Sequence, residues 1–174
     1  KHLLKKWGKP AVIDADALTL IKPVLAHFSP EEKERFLLTP HPGEMARLMG
    51  ISVDEVEGDR LGVSRRFAQK EGVYLVLKGH RTIVITPSGQ QWINPLGHSA
   101  LGKGGAGDVL AGMLAAILAQ KASMLEAGLA AVYLHALAGE QCALKKSSYA
   151  VLATDLITQL GQAIASLSSL RPET

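Results

Sequence analysis

Cysteine is nearly absent: Cys142 is the only one among 174 residues. That excludes a disulfide framework and a four-cysteine zinc site, and it suits a reducing compartment such as the cytoplasm. Aromatic residues make up only 5%, and Lys or Arg do not alternate with them as nucleic-acid surfaces require. An excess of one charge is lacking too. Nineteen Lys and Arg against 16 Asp and Glu leave +3, too little to argue for nucleic acid. Long apolar runs are missing as well. Residues 109–119 and 127–138 are the most apolar stretches, and both fall short of the roughly 18 residues of a membrane span. Lys1, Lys5, Lys6 and Lys9 crowd the start, but no apolar segment follows, so no signal peptide is expected.

What is present describes a globular chain. Apolar residues reach 47% and charged ones 20%, which excludes disorder. The length predicts one domain over 1–174, able to bury ~70% of its unfolded surface. Leu3, Leu4 and Trp7 have helical spacing with Gly8 as the cap. A short apolar strand follows at 11–13. An α/β chain that opens on a helix feeding a strand either carries an extra helix or lacks a preceding strand.

Alternation of strands and helices continues from there. A weak helix over 16–27 is interrupted by Pro23, and a strand over 36–39 ends at Pro40. Helices are predicted over 42–50 and 52–71, the latter with Leu61, Phe67 and Ala68 inward. The continuous apolar run 73–77 reads as a strand buried on both faces. Residues 82–86 and 91–93 flank a turn and read as a β-hairpin. A glycine-rich loop covers 95–106. Helices over 108–120, 123–144 and 154–167 close the chain, the last with Thr154 as N-cap, and 171–174 form a polar tail. Strands first and helices last predict a layered α/β sheet, mainly parallel with one hairpin, flanked by helices.

Four segments carry chemistry. The first is Gly102-Lys103-Gly104-Gly105-Ala106-Gly107-Asp108, glycines running into a helix. Glycine lets the backbone approach a ligand closely, and a helix N-terminus offers free N–H groups to an anion. Asp108, in the first turn, either stabilises the helix dipole or serves as a general base beside a bound phosphate. No Lys-Ser or Lys-Thr follows, so this is not a Walker loop. The second is Thr39-Pro40-His41-Pro42-Gly43-Glu44, where two prolines stiffen the backbone around His41. Thr39 and Glu44 can equally cap the helix that follows, and His41 can be a surface histidine. Two ligands make no metal site.

The third is Lys78-Gly79-His80-Arg81-Thr82, at the carboxyl end of a buried strand, where open α/β sheets bind ligands. An ordinary charged turn is the alternative. The fourth is Asp14-Ala15-Asp16, a possible magnesium bracket, with helix capping by Asp16 the safer reading. His135 reads as a partly buried helical histidine and Cys142 as a small hydrophobe. No Gly-x-Ser-x-Gly elbow supports an esterase.

Taken together these segments resemble the NAD(P)H-hydrate dehydratase family, a branch of the ribokinase-like fold. The matching stretches are VIDADAL (12–18), LTPHPGE (38–44), LKGHRT (77–82), GGAGDVLAG (104–112), VYLHALAG (132–139) and LATDL (152–156). LTPHPGE discriminates, because Gly-x-Gly-Asp alone is shared by many ribokinase-like kinases. The resemblance implies that hydrated NADH or NADPH is repaired by phosphoryl transfer from ADP or ATP, with Mg2+, and loss of phosphate. It implies Asp108 as catalytic base and hydrate contact, with His41 and Glu44 also on the hydrate. It implies nucleotide contacts at Lys78, Gly79, His80, Arg81, Thr82, Gly104, Gly105, Ala106 and Gly107.

It also implies a homo-oligomer, a tetramer; a cytoplasmic location, with no nucleic acid or membrane as partner, is the expectation from composition. Ala106 stands where the family commonly has Thr, and Lys103 where it usually has Ala, Ser or Thr. The family domain has a further N-terminal portion with substrate contacts, and the chain is expected to lack it. A small-molecule kinase acting on a vitamin precursor alcohol, and an inactive nucleotide-binding fragment, are the competing expectations.

Overall fold

The computed structural model describes residues 1–168; the polar tail at 171–174 lies outside the described residues. Five strands form one sheet, in the order in which they follow along the chain. They are β1 (Ala11–Ile13), β2 (Phe36–Leu38), β3 (Tyr74–Leu77), β4 (Ile83–Ile85) and β5 (Gln91–Ile93). β1, β2 and β3 are parallel, with Val12 opposite Leu37 and Leu38 opposite Leu75. β3, β4 and β5 run antiparallel, so the predicted hairpin is β4–β5, with Val84 opposite Trp92.

The helices are α1 (His2–Trp7), α2 (Asp16–Ile21), α3 (Pro30–Lys33), α4 (Pro42–Met49), α5 (Val53–Gly58), α6 (Arg60–Glu71), α7 (Ala106–Ala119), α8 (Met124–Lys146) and α9 (Ala153–Ser168). Side chains alternate across a strand, and the alternation divides the core. Leu38, Leu75 and Leu77 face one side, with Leu18, Met45, Val63 and Phe67 from α2, α4 and α6. Leu37, Val76 and Val84 face the other, with Leu110 and Leu114 of α7 and Ala127 and Ala131 of α8. Burial of both faces explains why the strands read as continuous apolar runs. A third, smaller cluster of Ala100, Ala106, Cys142, Val151 and Leu156 ties the glycine-rich loop to α8 and α9.

Several sequence expectations need correction. The helix expected over 52–71 is two, α5 and α6, broken at Asp59 (φ −143°, ψ 59°). Asp59 starts α6 by accepting the Gly62 N–H at 2.8 Å. Because of that break Leu61 is 42% exposed and does not face inward, whereas Phe67 and Ala68 are buried as expected. Thr154 is not an N-cap. It lies inside α9, and Asp155 instead reaches back to the Leu152 N–H at 2.9 Å. Asp16 makes no side-chain capping bond, and Ala15 occupies the cap of α2. The weak helix broken by Pro23 is α2 followed by a 3-10 segment, Lys22–His27. α3 went unanticipated, although Ser29 and Glu32 form a complete capping box there. The loop 95–106 contains one 3-10 turn, Ser99–Leu101. No helix among the described residues is long and apolar enough to cross a membrane.

Candidate active site

The three parallel strands end on one side of the sheet, and each is followed by a residue of the candidate site. Asp14 follows β1, His41 and Glu44 follow β2, and Lys78 follows β3. Backbone bonds align the exits: the Thr39 N–H donates to Ile13 O at 3.0 Å and the Lys78 N–H to Pro40 O at 2.9 Å. Thr39 is therefore a buried strand-end residue whose hydroxyl also reaches Ile13 O at 3.4 Å, and it caps nothing.

Lys78 gathers the cluster. Its Nζ lies 2.7 Å from Asp14 Oδ1 and 3.7 Å from Glu44 Oε2, and all three side chains are mostly buried. Of the two aspartates read as a possible magnesium bracket, Asp14 is thus the one that faces the site. Its signal was its place directly after a strand.

His41 and Glu44 cap α4 reciprocally. His41 Nδ1 accepts the N–H groups of Gly43 at 3.0 Å and Glu44 at 3.3 Å. Glu44 Oε2 accepts the His41 N–H at 2.7 Å. An Nδ1 that accepts carries no proton, so the cap assigns the imidazole N–H to Nε2, which lies 3.5 Å from Glu44 Oε1. Half of the His41 side chain remains exposed. The capping reading and the binding reading are therefore compatible, since the cap fixes the ring that a ligand would meet.

After Lys78 the chain turns sharply. Gly79 takes φ +131° and Arg81 φ 54°, and Thr82 Oγ1 closes the turn on Gly79 O at 3.2 Å. Arg60 underpins it, donating from Nη2 to Lys78 O at 3.1 Å. A Cβ at position 79 would come within 2.9 Å of Arg60 Nη1. The backbone conformation favours glycine here, and a side chain would also have to displace the Arg60 guanidinium. No motif drew attention to Arg60, which pairs locally with Glu57 at 3.2 Å and otherwise holds the distant Leu77 and Lys78 carbonyls.

Across from this turn, α7 begins two residues earlier than expected, at Ala106. Its N-cap is Gly105, at φ 86°, and no side chain caps the helix. The Ala106 N–H donates back to Lys103 O at 3.2 Å, and the N–H groups of Gly107 and Asp108 are left to an anion. Gly107 faces the cluster, since a Cβ there would lie 3.4 Å from Lys78 Nζ and 3.9 Å from Asp14 Oδ2. Asp108 follows in the same turn and is exposed.

Between turn and helix lies a cavity of about 580 Å³, of the size that binds small molecules. Lys78, Gly79, His80 and Thr82 line one part, and Ala106 and Gly107 another. Six of the nine nucleotide candidates therefore meet at one cavity. Arg81, Gly104, Gly105, His41, Glu44 and Asp108 do not line it. Lys78 joins the cavity to the Asp14–Glu44 cluster. Asn94 was not anticipated: it lines the cavity, donates to Leu96 O at 3.1 Å and Val132 O at 3.4 Å, and leaves Oδ1 buried without a partner. His135, also in the lining, is buried, with Nε2 2.9 Å from Ala106 O. Burial pushes its pKa below the usual histidine value, against a smaller opposing effect of that bond.

No group of three or more His, Cys, Asp or Glu among the described residues is placed to hold a metal ion. Asp14 and Glu44 do converge, and two carboxylates suit a magnesium ion that arrives with phosphates and keeps several waters.

A glycine-rich turn opening a helix, set against the carboxyl ends of parallel strands, defines the ribokinase-like class. A ribokinase-like superfamily protein from Enterococcus faecalis superposes with TM-score 0.75 at 33% identity, over 95% of this chain and 57% of that one. Within this class the chain belongs to the NAD(P)H-hydrate dehydratase family, whose model matches residues 2–162. The ADP/ATP-dependent NAD(P)H-hydrate dehydratase from Bacillus subtilis, co-crystallised with ATP and Mg2+, superposes with TM-score 0.78 at 33% identity, covering 90% of this chain and 55% of that one. A bifunctional NAD(P)H-hydrate repair enzyme from Gloeobacter violaceus is 46% identical over 157 residues, 90% of this chain and 30% of that protein. The chain spans about a third to a half of the length of these relatives.

Proposed function

We propose that this chain carries the nucleotide side of an enzyme that restores hydrated NADH or NADPH by nucleotide-dependent dehydration. One observation carries the reading: the uncapped first turn of α7, with Asp108 in it, opens beside a cavity lined by Lys78, Gly79, His80 and Thr82. A nucleoside diphosphate or triphosphate places its adenosine end in the cavity and its phosphates at the N–H groups of Gly107 and Asp108. Asp108 takes the proton of the ring hydroxyl as that oxygen attacks the terminal phosphorus of the nucleotide. The nucleotide leaves with the electron pair of the broken P–O bond. The new phosphate ester then departs with its C–O electron pair, a far better leaving group than hydroxide, and the ring recovers its double bond as a proton is lost. Lys78 and the backbone N–H groups meet the charge on the moving phosphoryl group.

Magnesium supplies further charge neutralisation for the phosphates when bound, and Asp14 and Glu44 are the side chains that would hold it. His41, with its tautomer set by the α4 cap, presents Nε2–H to the hydrate. The same proposal includes the cytoplasm as the site of action, since a lone buried thiol suits a reducing compartment. It also includes a tetramer, which light scattering checks.

The test follows absorbance of the reduced nicotinamide ring in mixtures of hydrate and Mg2+ with ADP or ATP, for the protein at its natural length. A nucleotide-dependent rise is expected. Asp108→Asn should lower turnover by roughly 10²–10⁴ while nucleotide affinity stays within a few-fold. Full activity in that variant overturns the base assignment. A stable phosphorylated product without elimination would move the protein to the kinase reading.

A further inference from the structure

We propose that His135 is a positioning residue for phosphoryl transfer: from α8 it holds the Ala106 carbonyl and so aims the first-turn N–H groups of α7. This rests on the nucleotide reading above. Ala106 is the first residue of α7, and its carbonyl can only accept, so the 2.9 Å contact requires the proton on His135 Nε2. The ring is 8% exposed, and burial keeps it neutral. It therefore acts on the phosphates through geometry and adds no charge. The bond spans 29 residues of sequence and ties the start of α7 to α8, two helices that pack together and both line the cavity.

His135 does not work alone. One turn further along α8, the Leu101 side chain sits over Gly139, where a Cβ would meet it at 2.6 Å. The next residue, Glu140, accepts the Gly97 N–H at 3.0 Å. One stretch of α8 thus grips the glycine-rich loop at its entry, its middle and its end. The need for such a grip follows from Gly105. A helix that starts on glycine, with no side-chain cap, is fixed locally by backbone bonds alone, Ala106 N–H to Lys103 O at 3.2 Å and Val109 N–H to Gly105 O at 3.1 Å. A hydrogen bond from outside replaces the side-chain cap while leaving the Gly107 and Asp108 N–H groups free.

Two arms test this. Without nucleotide, amide hydrogen exchange by NMR compares wild type, His135→Leu and His135→Gln. The Val109 and Leu110 amides, in the first turns of α7, should exchange about tenfold faster in the Leu variant, the worth of one hydrogen bond. Gln, whose side-chain amide can donate from the same place, should restore most of the protection. With nucleotide, calorimetry on the same proteins compares ADP with adenosine. ADP affinity should fall about tenfold more than adenosine affinity in the Leu variant, since His135 also lines the cavity that takes the adenosine end and any loss of that contact is common to both ligands. Unchanged exchange in the Leu variant, a Gln variant no better than Leu, or equal losses for ADP and adenosine would each overturn the proposal. Wild type that binds no ADP would refute the nucleotide reading, and the exchange arm would still decide whether His135 holds the turn.

Discussion

At Lys78 the candidate site is fixed by its own side chains, and at Gly105 it is fixed from elsewhere. The Lys78 side sits on the ends of three strands, with Asp14, Glu44 and Lys78 locked in mutual ion pairs and Arg60 bolting the turn beneath. The Gly105 side is backbone: a left-handed glycine, an uncapped helix start and an exposed carboxylate. Its order comes from α8 through His135 and from a small apolar cluster under Ala106. A site that must match fixed charges can be assembled locally. One that must offer bare N–H groups cannot fill the space with its own side chains, so it borrows rigidity.

Removing the centre of the first side gives the largest expected effect on this chain. Lys78→Met should cost about 2 kcal/mol of stability, because two carboxylates lose their shared counter-charge, and should weaken ADP binding more than tenfold. Adding Asp14→Asn should recover part of the stability and none of the binding, as seen by chemical denaturation and calorimetry. Recovery of both would mean that Lys78 is structural only.

The second side should break more gently. Gly105→Ala places a side chain at φ 86° with its Cβ 3.1 Å from Ala153 Cβ. A loss of about 1–2 kcal/mol is expected, along with weaker binding of ADP and unchanged binding of adenosine. The smallest effect separates the two sides by pH. Burial holds the His135 pKa below the ordinary 6.5. The unfolded chain takes up a proton there that the folded one refuses, so this contribution is complete above about pH 6.5 and drains as pH falls toward the folded value. Thermal melts from about pH 8 to about pH 5 should show that slope, and His135→Gln should flatten it.

Strand and helix periodicity made most of the architecture legible, because both faces of β2 and β3 are buried and their apolar runs are unbroken. Turn chemistry was harder to read. The break at Asp59 was signalled only by Gly58, a poor helix former, followed by Asp59 as a cap, inside a stretch whose apolar spacing otherwise runs on. The candidate site was legible where it lies in loops directly after strands, as at Lys78 and His41. Asp14 was visible but underweighted, because its partner is 64 positions away. Arg60, Asn94 and the role of His135 were out of reach for the same reason: each acts through a backbone carbonyl contributed by a distant segment, and sequence spacing carries no trace of that contact.

Cys142 packs in the same small cluster as Ala106, and it is the only thiol in the sequence. Burial, together with the negative charge of Asp155, raises its pKa and keeps it unreactive while the cluster is closed. A thiol reagent can therefore modify the native protein only when α8 and α9 part and the floor of the glycine-rich loop opens. The chain carries its own stopwatch: the labelling rate of one natural sulfur reads how often the phosphate end of the site comes apart, and a nucleotide that seats there should slow the clock.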